Sequence, residues 1–337
     1  MTVPILRMEH LDVEYRTADA DLPVLRDVSL EVGAGEIVGI VGESGCGKST
    51  LSSSILGLLP PNGRVTGGSI RLRNEELTTL DARSLRGLRG PEMAMIFQDP
   101  LSSLNPVFTI WTQICDGLRA HIPRGQFDAT AERARAAAAL TELGIPDAER
   151  RLDDYPHQFS GGMRQRIMIA FALLLEPALL VADEPTSALD ATLQAQIVAI
   201  LARLRRERGM AIVFVTHDLA LVSNLCDRVV VMYCGSVVEA GPVERVFRAP
   251  AHPYTRALIG SIPSRHEHVD RLKTIPGQVP SLSALPVGCS FADRCDIARD
   301  PCRDSVPAAR EEDGRHIRCF AGDPLSDYAR ASQGATQ

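Results

Sequence analysis

A glycine-rich stretch that ends in Lys48 and Ser49 has the residue types and the spacing of a phosphate-binding loop. Residues 42–50 read Gly-Glu-Ser-Gly-Cys-Gly-Lys-Ser-Thr and fit the pattern G-x-x-x-x-G-K-[ST]. In such a loop, backbone N–H groups cradle phosphates, the lysine reaches the β- and γ-phosphates, and the Ser49 hydroxyl binds Mg²⁺. The positive end of the following helix adds to the attraction. The residues expected to bind a nucleoside triphosphate here are Gly42, Ser44, Gly45, Gly47, Lys48, Ser49 and Thr50.

A second candidate is the adjacent carboxylate pair Asp183 and Glu184, at the end of the apolar run Leu179–Ala182. An aspartate at the end of a strand beside a phosphate loop typically holds Mg²⁺, directly or through water. The next residue faces the other way, because side chains alternate along a strand. We therefore expect Glu184 to polarise the attacking water as a general base.

The segment Ser160-Gly161-Gly162 precedes a long apolar helical pattern and is a third candidate. A hydroxyl and exposed N–H groups at the start of a helix suit an anion. A chain with one phosphate loop should not need a second phosphate site on the same nucleotide. We therefore expect this segment to contact a nucleotide held by another subunit.

Four apolar runs of strand length are expected to position these residues. They are Ile37–Val41, Met93–Phe97, Leu179–Ala182 and Ala211–Val215. Their lack of strict alternation suits strands buried on both faces of a parallel sheet, and helical stretches such as Thr192–Arg208 lie between them, which predicts an α/β fold. Ligands of open α/β sheets bind outside the carboxyl ends of the strands. The polar residues after the runs, including Gln98 and His217, are therefore expected to converge on one site.

Composition and charge narrow the class of protein. The chain has 337 residues, is 45% hydrophobic and carries a net charge of −6. Nucleic acid is disfavoured as a partner, since backbone binding needs clustered Lys and Arg. The most apolar stretch, Ile167–Leu180, is interrupted by Glu176 and Pro177 and is too short to span a bilayer, and no secretory signal is evident. We expect a cytosolic chain that reaches a membrane only through a protein partner.

Taken together and in chain order, these motifs resemble the ABC ATPase family over about residues 5–260. The matching segments are Gly42–Thr50 (Walker A), Gln98 (the Q-loop glutamine), Ser160–Gly162 (the core of the signature motif), Leu179–Asp183 (Walker B), Ser187–Asp190 (the D-loop) and His217 (the switch histidine). The signature reads Phe-Ser-Gly-Gly-Met where the family has Leu-Ser-Gly-Gly-Gln, so the serine and both glycines are kept. Tyr15 is expected to stack on adenine.

The resemblance implies a P-loop NTPase fold. Its parts are a RecA-like, mostly parallel sheet with an antiparallel β subdomain, an α-helical subdomain and a small C-terminal extension. The helical subdomain is expected at about residues 99–165. We expect an ATPase domain over residues 1–260 and an extension over residues 261–337, where the composition turns rich in Pro and short polar stretches.

The resemblance also implies a mechanism. Two ATPs with Mg²⁺ lie in a head-to-tail dimer, each between Walker A of one subunit and the signature of the other, and closure and opening move two transmembrane permease subunits. The expected catalytic residues are Glu184, His217, Gln98 and Lys48. The expected Mg²⁺ ligands are Ser49, Gln98 and Asp183, and Asp190 is expected among the residues that bind the nucleotide.

Three further stretches resemble the peptide and nickel importer branch of the family. They are Phe97–Pro106, His252–Leu258 and Ile275–Pro280. The last favours the D-type ATPase of dipeptide and oligopeptide permeases, which commonly pairs with a related second ATPase. This branch implies a location at the cytoplasmic face of the inner membrane and, indirectly, an extracytoplasmic solute-binding protein. The transported solute and the choice between homodimer and heterodimer stay open.

Four cysteines near the C-terminus, Cys289, Cys295, Cys302 and Cys319, follow the spacing C-x5-C-x6-C-x16-C. In a reducing compartment such a cluster favours a metal over disulfides. The spacing matches neither zinc knuckles nor ferredoxin runs and does not name the metal. The branch resemblance implies a [4Fe–4S] cluster on these four thiolates, with zinc or no metal as alternatives and His316 as a substitute ligand. Since nothing in the sequence places the cluster near ATP, its expected role is structural or regulatory.

Two other functions compete with an importer ATPase. A soluble ABC ATPase of DNA repair or translation generally shows two ATPase modules, a coiled-coil insertion or basic patches, none of which this sequence contains. A metal or redox sensor with vestigial ATP binding is disfavoured by the intact Lys48, Asp183, Glu184 and His217.

Overall fold

The computed structural model describes residues 3–99, 103–123, 125–187, 189–262 and 274–321. The chain forms two compact units. Unit 1 contains Met1–Leu6, Val32–Glu36 and Leu72–Val215, and unit 2 contains Arg7–Glu31, Ile37–Arg71 and Thr216–Gln337. The predicted division at residue 260 stays a prediction, although residues on both sides of it belong to unit 2.

Strands and helices alternate along the chain, as expected for an α/β fold. The strands are β1 (Leu6–Arg16), β2 (Asp21–Val32), β3 (Ile37–Val41), β4 (Gly63–Leu72), β5 (Glu75–Glu76), β6 (Met93–Ile96), β7 (Leu179–Asp183), β8 (Ala211–Val215), β9 (Arg228–Tyr233), β10 (Ser236–Pro242), β11 (Arg310–Glu312) and β12 (Arg315–Ile317). The helices are α1 (Lys48–Ile55), α2 (Ala82–Leu88), α3 (Ile110–His121), α4 (Ala129–Glu142), α5 (Ala148–Arg151), α6 (Gly161–Leu173), α7 (Ala191–Arg208), α8 (Leu219–Leu225), α9 (Val243–Arg248), α10 (Pro253–Gly260) and α11 (Asp300–Asp304).

In the described part of the chain, no helix combines the length and the apolar character that crossing a bilayer requires.

Unit 1 is built on three parallel strands in the order β6-β7-β8. Met93 pairs with Leu179, and Leu179 pairs with Ala211, so the three strands start at the same edge. Every residue of β7 and β8 is buried, which explains why these runs show no alternation of apolar and polar residues. Asp183 is the last residue of β7 and lies opposite Val215.

Helices α3 to α6 of unit 1 lie mainly in the region where the sequence predicts a helical subdomain. Helices α3, α4 and α6 each start at a side-chain cap: Thr109 accepts from the Thr112 N–H, Asp128 accepts from the N–H groups of Thr130 and Ala131, and Ser160 accepts from the Met163 N–H. Such caps satisfy N–H groups that have no partner within the helix. The predicted subdomain boundaries at 99 and 165 stay predictions.

Unit 2 contains a parallel pair, β3 with β9, followed by the antiparallel strands β10, β12 and β11. The hairpin of β11 and β12 joins this sheet through β10, where Glu239 pairs with Ile317. The C-terminal strands thus belong to the same sheet as β3, the strand before the phosphate loop. Strands β2, β1 and β4 form a separate sheet of unit 2.

A buried polar cluster fixes the start of α10 in unit 2. The Glu239 carboxylate is fully buried and accepts the N–H groups of Ala251 and His252 at 2.8–3.1 Å. The Nδ1 atom of His252 accepts the N–H of Tyr254 at 3.0 Å. Burial lowers the pKa of His252 to about 3, so its ring stays neutral and can act as an acceptor.

We expect this histidine to make folding stability depend on pH. The unfolded chain protonates His252 near its ordinary pKa of 6.5, whereas the folded chain does so only near 3, so unfolding takes up a proton between these values. Stability therefore falls as the pH drops below about 6.5, by up to about 1.4 kcal/mol per pH unit for this group. His252→Asn keeps a capping acceptor without the titration and should lose stability less steeply in urea unfolding followed by circular dichroism. His157→Asn, in an exposed turn, is the control, and equal slopes for wild type and His252→Asn would contradict the assignment.

Candidate functional site

The phosphate loop lies in unit 2, between β3 and α1. Lys48, the first residue of α1, is buried, and its Nζ donates to the carbonyl oxygens of Gly42 at 2.8 Å and Glu43 at 3.1 Å. A buried ammonium group needs such acceptors, since a charge without them is costly. The loop therefore folds around the charged group that is expected to reach the phosphates.

Glycine is required at two loop positions for different reasons. Gly42 has a φ of 155°, and a Cβ there would stand 2.3 Å from the carbonyl oxygen of Met232 in β9. Gly45 has a φ of 78°, but a Cβ there would meet nothing within 4 Å. Gly42 is thus fixed by packing against neighbouring backbone, whereas Gly45 is fixed by backbone conformation alone.

Side chains from the C-terminal part of unit 2 hold the loop. The Glu43 N–H donates to the Tyr254 hydroxyl at 2.8 Å. Both oxygens of the Glu43 carboxylate bind the Arg294 guanidinium, at 2.7 and 3.0 Å. The Arg294 side chain is 4% exposed, also donates to the Tyr233 hydroxyl at 3.1 Å, and has its pKa raised by the hydrogen bond to Glu43. The sequence reasoning missed Tyr254 and Arg294, because Glu43 and Arg294 are 251 residues apart and no local pattern links them.

Tyr15, the predicted adenine-stacking residue, lies close to the phosphate loop. Its hydroxyl is 3.0 Å from the Thr50 hydroxyl in α1. The side of its ring covers Gly63, where a Cβ would lie 2.8 Å from Cε1. The structure thus brings Tyr15 to α1, and its role in stacking stays a prediction.

The carboxylate pair lies in unit 1. Asp183 is buried, and Glu184 adopts a left-handed φ of 46° with its N–H bonded to the Val215 carbonyl at 2.9 Å. Such a conformation is uncommon for a residue other than glycine, and the surrounding structure must hold it in place. The Gln98 side-chain amide donates to Glu184 Oε2 at 2.9 Å. The structure therefore brings together the predicted Q-loop glutamine and the predicted base.

The predicted signature segment begins α6 in unit 1. Ser160 is the N-cap, and its hydroxyl accepts the Met163 N–H at 3.3 Å. Ser160 and Gly161 are exposed, whereas Gly162 is buried, where a Cβ would come within 2.5 Å of the Leu193 side chain. An exposed helix start of this kind suits an anion.

The last predicted nucleotide residues lie close to the starts of helices. Asp190 caps α7 and accepts the Leu193 N–H at 2.9 Å. Ala188, in the predicted D-loop, lies outside the described residues. His217 is exposed and lies between β8 and α8 in the chain. The roles of Asp190 and His217 stay predictions.

The four C-terminal cysteines line one small cavity in unit 2, together with Phe291 and Pro307 among others. All four are free thiols and partly buried, and burial raises the pKa of Cys289 to about 11 and of Cys295 to about 12. No group of three or more His, Cys, Asp or Glu side chains in the described ranges is arranged to hold a metal ion. His316 bonds to Glu311 at 3.0 Å and does not line this cavity.

Comparisons with known proteins assign the family. Residues 25–187 match the ABC transporter family, and residues 238–302 match the family described as the oligopeptide/dipeptide transporter C-terminal region. A protein of Brucella abortus (strain 2308), named as a peptide import ATP-binding protein, is 46% identical over 318 residues, which are 94% of this chain and 95% of that protein. A protein of Brucella ovis with the same kind of name is 46% identical over 334 residues, 94% of this chain and 97% of its own length.

Solved structures agree with these sequence matches. A dimeric, post-hydrolysis structure of an ATP-binding cassette with ADP and Pi has a TM-score of 0.64 and 29% identity, and the match covers 71% of this chain and 98% of that one. The cbiO1 protein of Clostridium perfringens, part of an ABC transporter complex, has a TM-score of 0.61 and 30% identity, over 73% of this chain and 91% of that one. The fold is thus that of a P-loop ATPase, as predicted. The chain belongs to the ABC transporter ATP-binding family, in the group with an oligopeptide/dipeptide transporter C-terminal region, and is an ATPase of the ABC type.

The loop geometry predicts different outcomes for two neighbouring alanine substitutions. Gly42→Ala and Gly45→Ala each force alanine into a backbone conformation that favours glycine, which costs about 1 kcal/mol of stability in either variant. Gly42→Ala also drives a Cβ into the Met232 carbonyl, and overpacking of this kind costs a further 1–3 kcal/mol, roughly. Urea unfolding should therefore show Gly42→Ala as clearly the less stable variant. Equal midpoints for the two variants would contradict the close packing of the loop against β9.

Proposed function

We propose that this chain is an ATP-hydrolysing subunit of an ABC importer that takes up dipeptides, oligopeptides or related small solutes. The observation that carries the proposal is the buried Lys48 ammonium group inside the Gly42–Gly47 loop. The names of the relatives and the match to an oligopeptide/dipeptide transporter region support a peptide cargo. Nickel complexes are the alternative cargo, and the neighbouring open reading frames would distinguish the two.

We propose the following roles in binding Mg²⁺ and ATP. Lys48 binds the β- and γ-phosphates, and the loop N–H groups of Gly42, Ser44, Gly45, Gly47 and Thr50 surround them. Ser49, Gln98 and Asp183 hold Mg²⁺, which supplies charge neutralisation to the phosphates when bound. Tyr15 stacks on adenine.

In hydrolysis, Glu184 is proposed to accept a proton from the attacking water. The hydrogen bond from Gln98 keeps the Glu184 carboxylate in place, and its left-handed backbone is consistent with a residue held for function. His217 contacts the γ-phosphate and helps to position the water. Because Gln98 immediately precedes the proposed helical subdomain at about residues 99–165, it is proposed to report nucleotide state to that subdomain.

We propose that two such cassettes associate head to tail, with Ser160, Gly161, Gly162 and Asp190 of one subunit contacting the nucleotide of the other. The exposed N-cap at Ser160 supports this role. The second cassette is a related paralogue or a second copy of this chain. Two transmembrane permease subunits receive the motion, an extracytoplasmic binding protein delivers the solute, and the chain works at the cytoplasmic face of the membrane.

The proposed domain division assigns residues 1–260 to the ATPase domain and 261–337 to a C-terminal extension. Within the extension, the four cysteines suit a soft metal, since thiolates select iron–sulfur clusters and zinc. Their convergence on one cavity supports this ligand set, although no ready-made metal-binding group occurs in the described residues. We propose a [4Fe–4S] cluster there, with zinc as the alternative. Binding would release the thiol protons that burial favours.

Glu184→Gln should separate binding from turnover. The amide cannot act as a base, so ATP hydrolysis should fall by about 10²–10⁴-fold while ATP binding persists. Phosphate release and equilibrium nucleotide binding measure the two effects, and light scattering with ATP measures the association of Glu184→Gln with itself or the sister ATPase. Glu176→Gln, an exposed residue of unit 1, is the control. Undiminished turnover in Glu184→Gln would remove Glu184 from the mechanism.

The proposed [4Fe–4S] cluster predicts the iron and sulfide content of the purified protein. Protein purified without oxygen should contain about four iron atoms and four sulfides per chain and absorb broadly in the visible range. Cys302→Ser should lose most of both, whereas Cys115→Ser, buried in α3, should lose neither. Zinc without iron would favour the alternative, and the absence of both metals would overturn the site.

A further inference from the structure

The bond between Glu43 and Arg294 links the phosphate loop to the C-terminal extension. Glu43 is the second residue of the Gly42–Thr50 motif, and Arg294 ends a short 3₁₀ turn, Ala292–Arg294. The two side chains form a two-point ion pair with both carboxylate oxygens engaged. Such paired geometry fixes orientation as well as charge.

The surroundings of Arg294 leave its guanidinium little freedom. Its Nε donates to the Pro276 carbonyl at 2.8 Å, and Nη1 also donates to Tyr233. The guanidinium lies 5.8 Å from the ring centres of Tyr233 and Phe291. Tyr254, which accepts the Glu43 N–H, packs against both rings at 4.6 and 5.4 Å. Arg294 is thus a rigid partner for Glu43 rather than a mobile surface charge.

The negative charge of Glu43 is unfavourable in a loop that is expected to bind phosphates. The loop is expected to receive a polyanion, and a carboxylate in the same loop repels it. The Lys48 ammonium binds the Glu43 carbonyl oxygen. Glu43 therefore affects the phosphate loop both through its backbone and through its side-chain charge. Arg294 neutralises the carboxylate and holds it in a fixed orientation.

We propose that Arg294 is a positioning residue for the phosphate loop, which sets nucleotide affinity by neutralising and orienting Glu43. This proposal rests on the proposed ATP site. The expected effect grows with ligand charge: loss of Arg294 should weaken ATP binding most, ADP binding less and adenosine binding not at all. It should raise the Michaelis constant for ATP and leave kcat within about twofold, because the partners of Arg294, which are Glu43, Tyr233 and Pro276, are not among the expected catalytic residues.

The test measures equilibrium binding of ATP, ADP and adenosine to the full chain. Arg294→Gln should raise the Kd for ATP about tenfold, which corresponds to about 1.4 kcal/mol. The double variant Arg294→Gln with Glu43→Gln should return the Kd to within about twofold of wild type, because the repelling charge is then absent. Arg303→Gln, which removes an exposed ion pair with Asp293 from the same segment, is the matched control and should bind ATP as wild type does.

Several outcomes would overturn the proposal. One is a Kd for ATP that Arg294→Gln leaves unchanged, and another is a double variant that binds as weakly as Arg294→Gln, since a purely structural role would not be rescued by Glu43→Gln. If Arg294→Gln does not fold, Arg294→Lys keeps the charge without the two-point geometry and should show an intermediate rise in Kd. A wild-type chain that binds no ATP would refute the proposed function itself, a result distinct from a failure of Arg294 alone.

Discussion

A buried ammonium group needs hydrogen-bond acceptors, because burying its charge without them costs too much free energy. The phosphate loop of this protein supplies those acceptors to Lys48. Lys48 is enclosed by carbonyl oxygens of Gly42 and Glu43, so the loop must curl back on the first turn of α1. That curl in turn needs Gly42, whose missing Cβ gives room to the Met232 carbonyl of β9. The sheet, the loop and the helix are therefore fixed by one another.

Residues from the C-terminal part of unit 2 also hold the phosphate loop in place. Glu239 anchors the start of α10, α10 presents the Tyr254 hydroxyl to the Glu43 N–H, and Arg294 binds the Glu43 carboxylate. Each step uses a buried polar group with defined partners, which gives a single arrangement rather than a set of similar ones. The β11–β12 hairpin completes the sheet beside Glu239. The C-terminal residues thus contribute to the nucleotide cassette as well as to the cysteine cavity.

Sequence patterns predicted the parts of this structure that rest on local rules. Fully apolar runs gave β3, β7 and β8 to within one residue, and the loop motif placed Lys48 at the start of α1. The contact between Gln98 and Glu184 agrees with the expected convergence of polar residues at the carboxyl ends of the strands, although the sequence did not predict that particular hydrogen bond. Tyr254 and Arg294 were missed, since their contacts join residues far apart in the chain, and periodicity carries no information about such pairs. For the same reason the sequence contained no sign that the cysteine segment contacts the phosphate loop, although Arg294, adjacent to Cys295, binds Glu43.

The hydroxyl of Tyr254 has a consequence for exchanging parts between relatives. It accepts a main-chain N–H, so any residue at position 43 that carries an N–H is compatible with it, whereas Arg294 demands a carboxylate there. A chimera that joins one half of this chain to the other half of a relative keeps only Glu43 or only Arg294 from this chain. Its phosphate loop then has a matched ion pair or an unpaired charge, depending on the residue that the relative supplies. In such a chimera built from this chain, the incoming half must therefore supply the partner that Glu43 or Arg294 has lost.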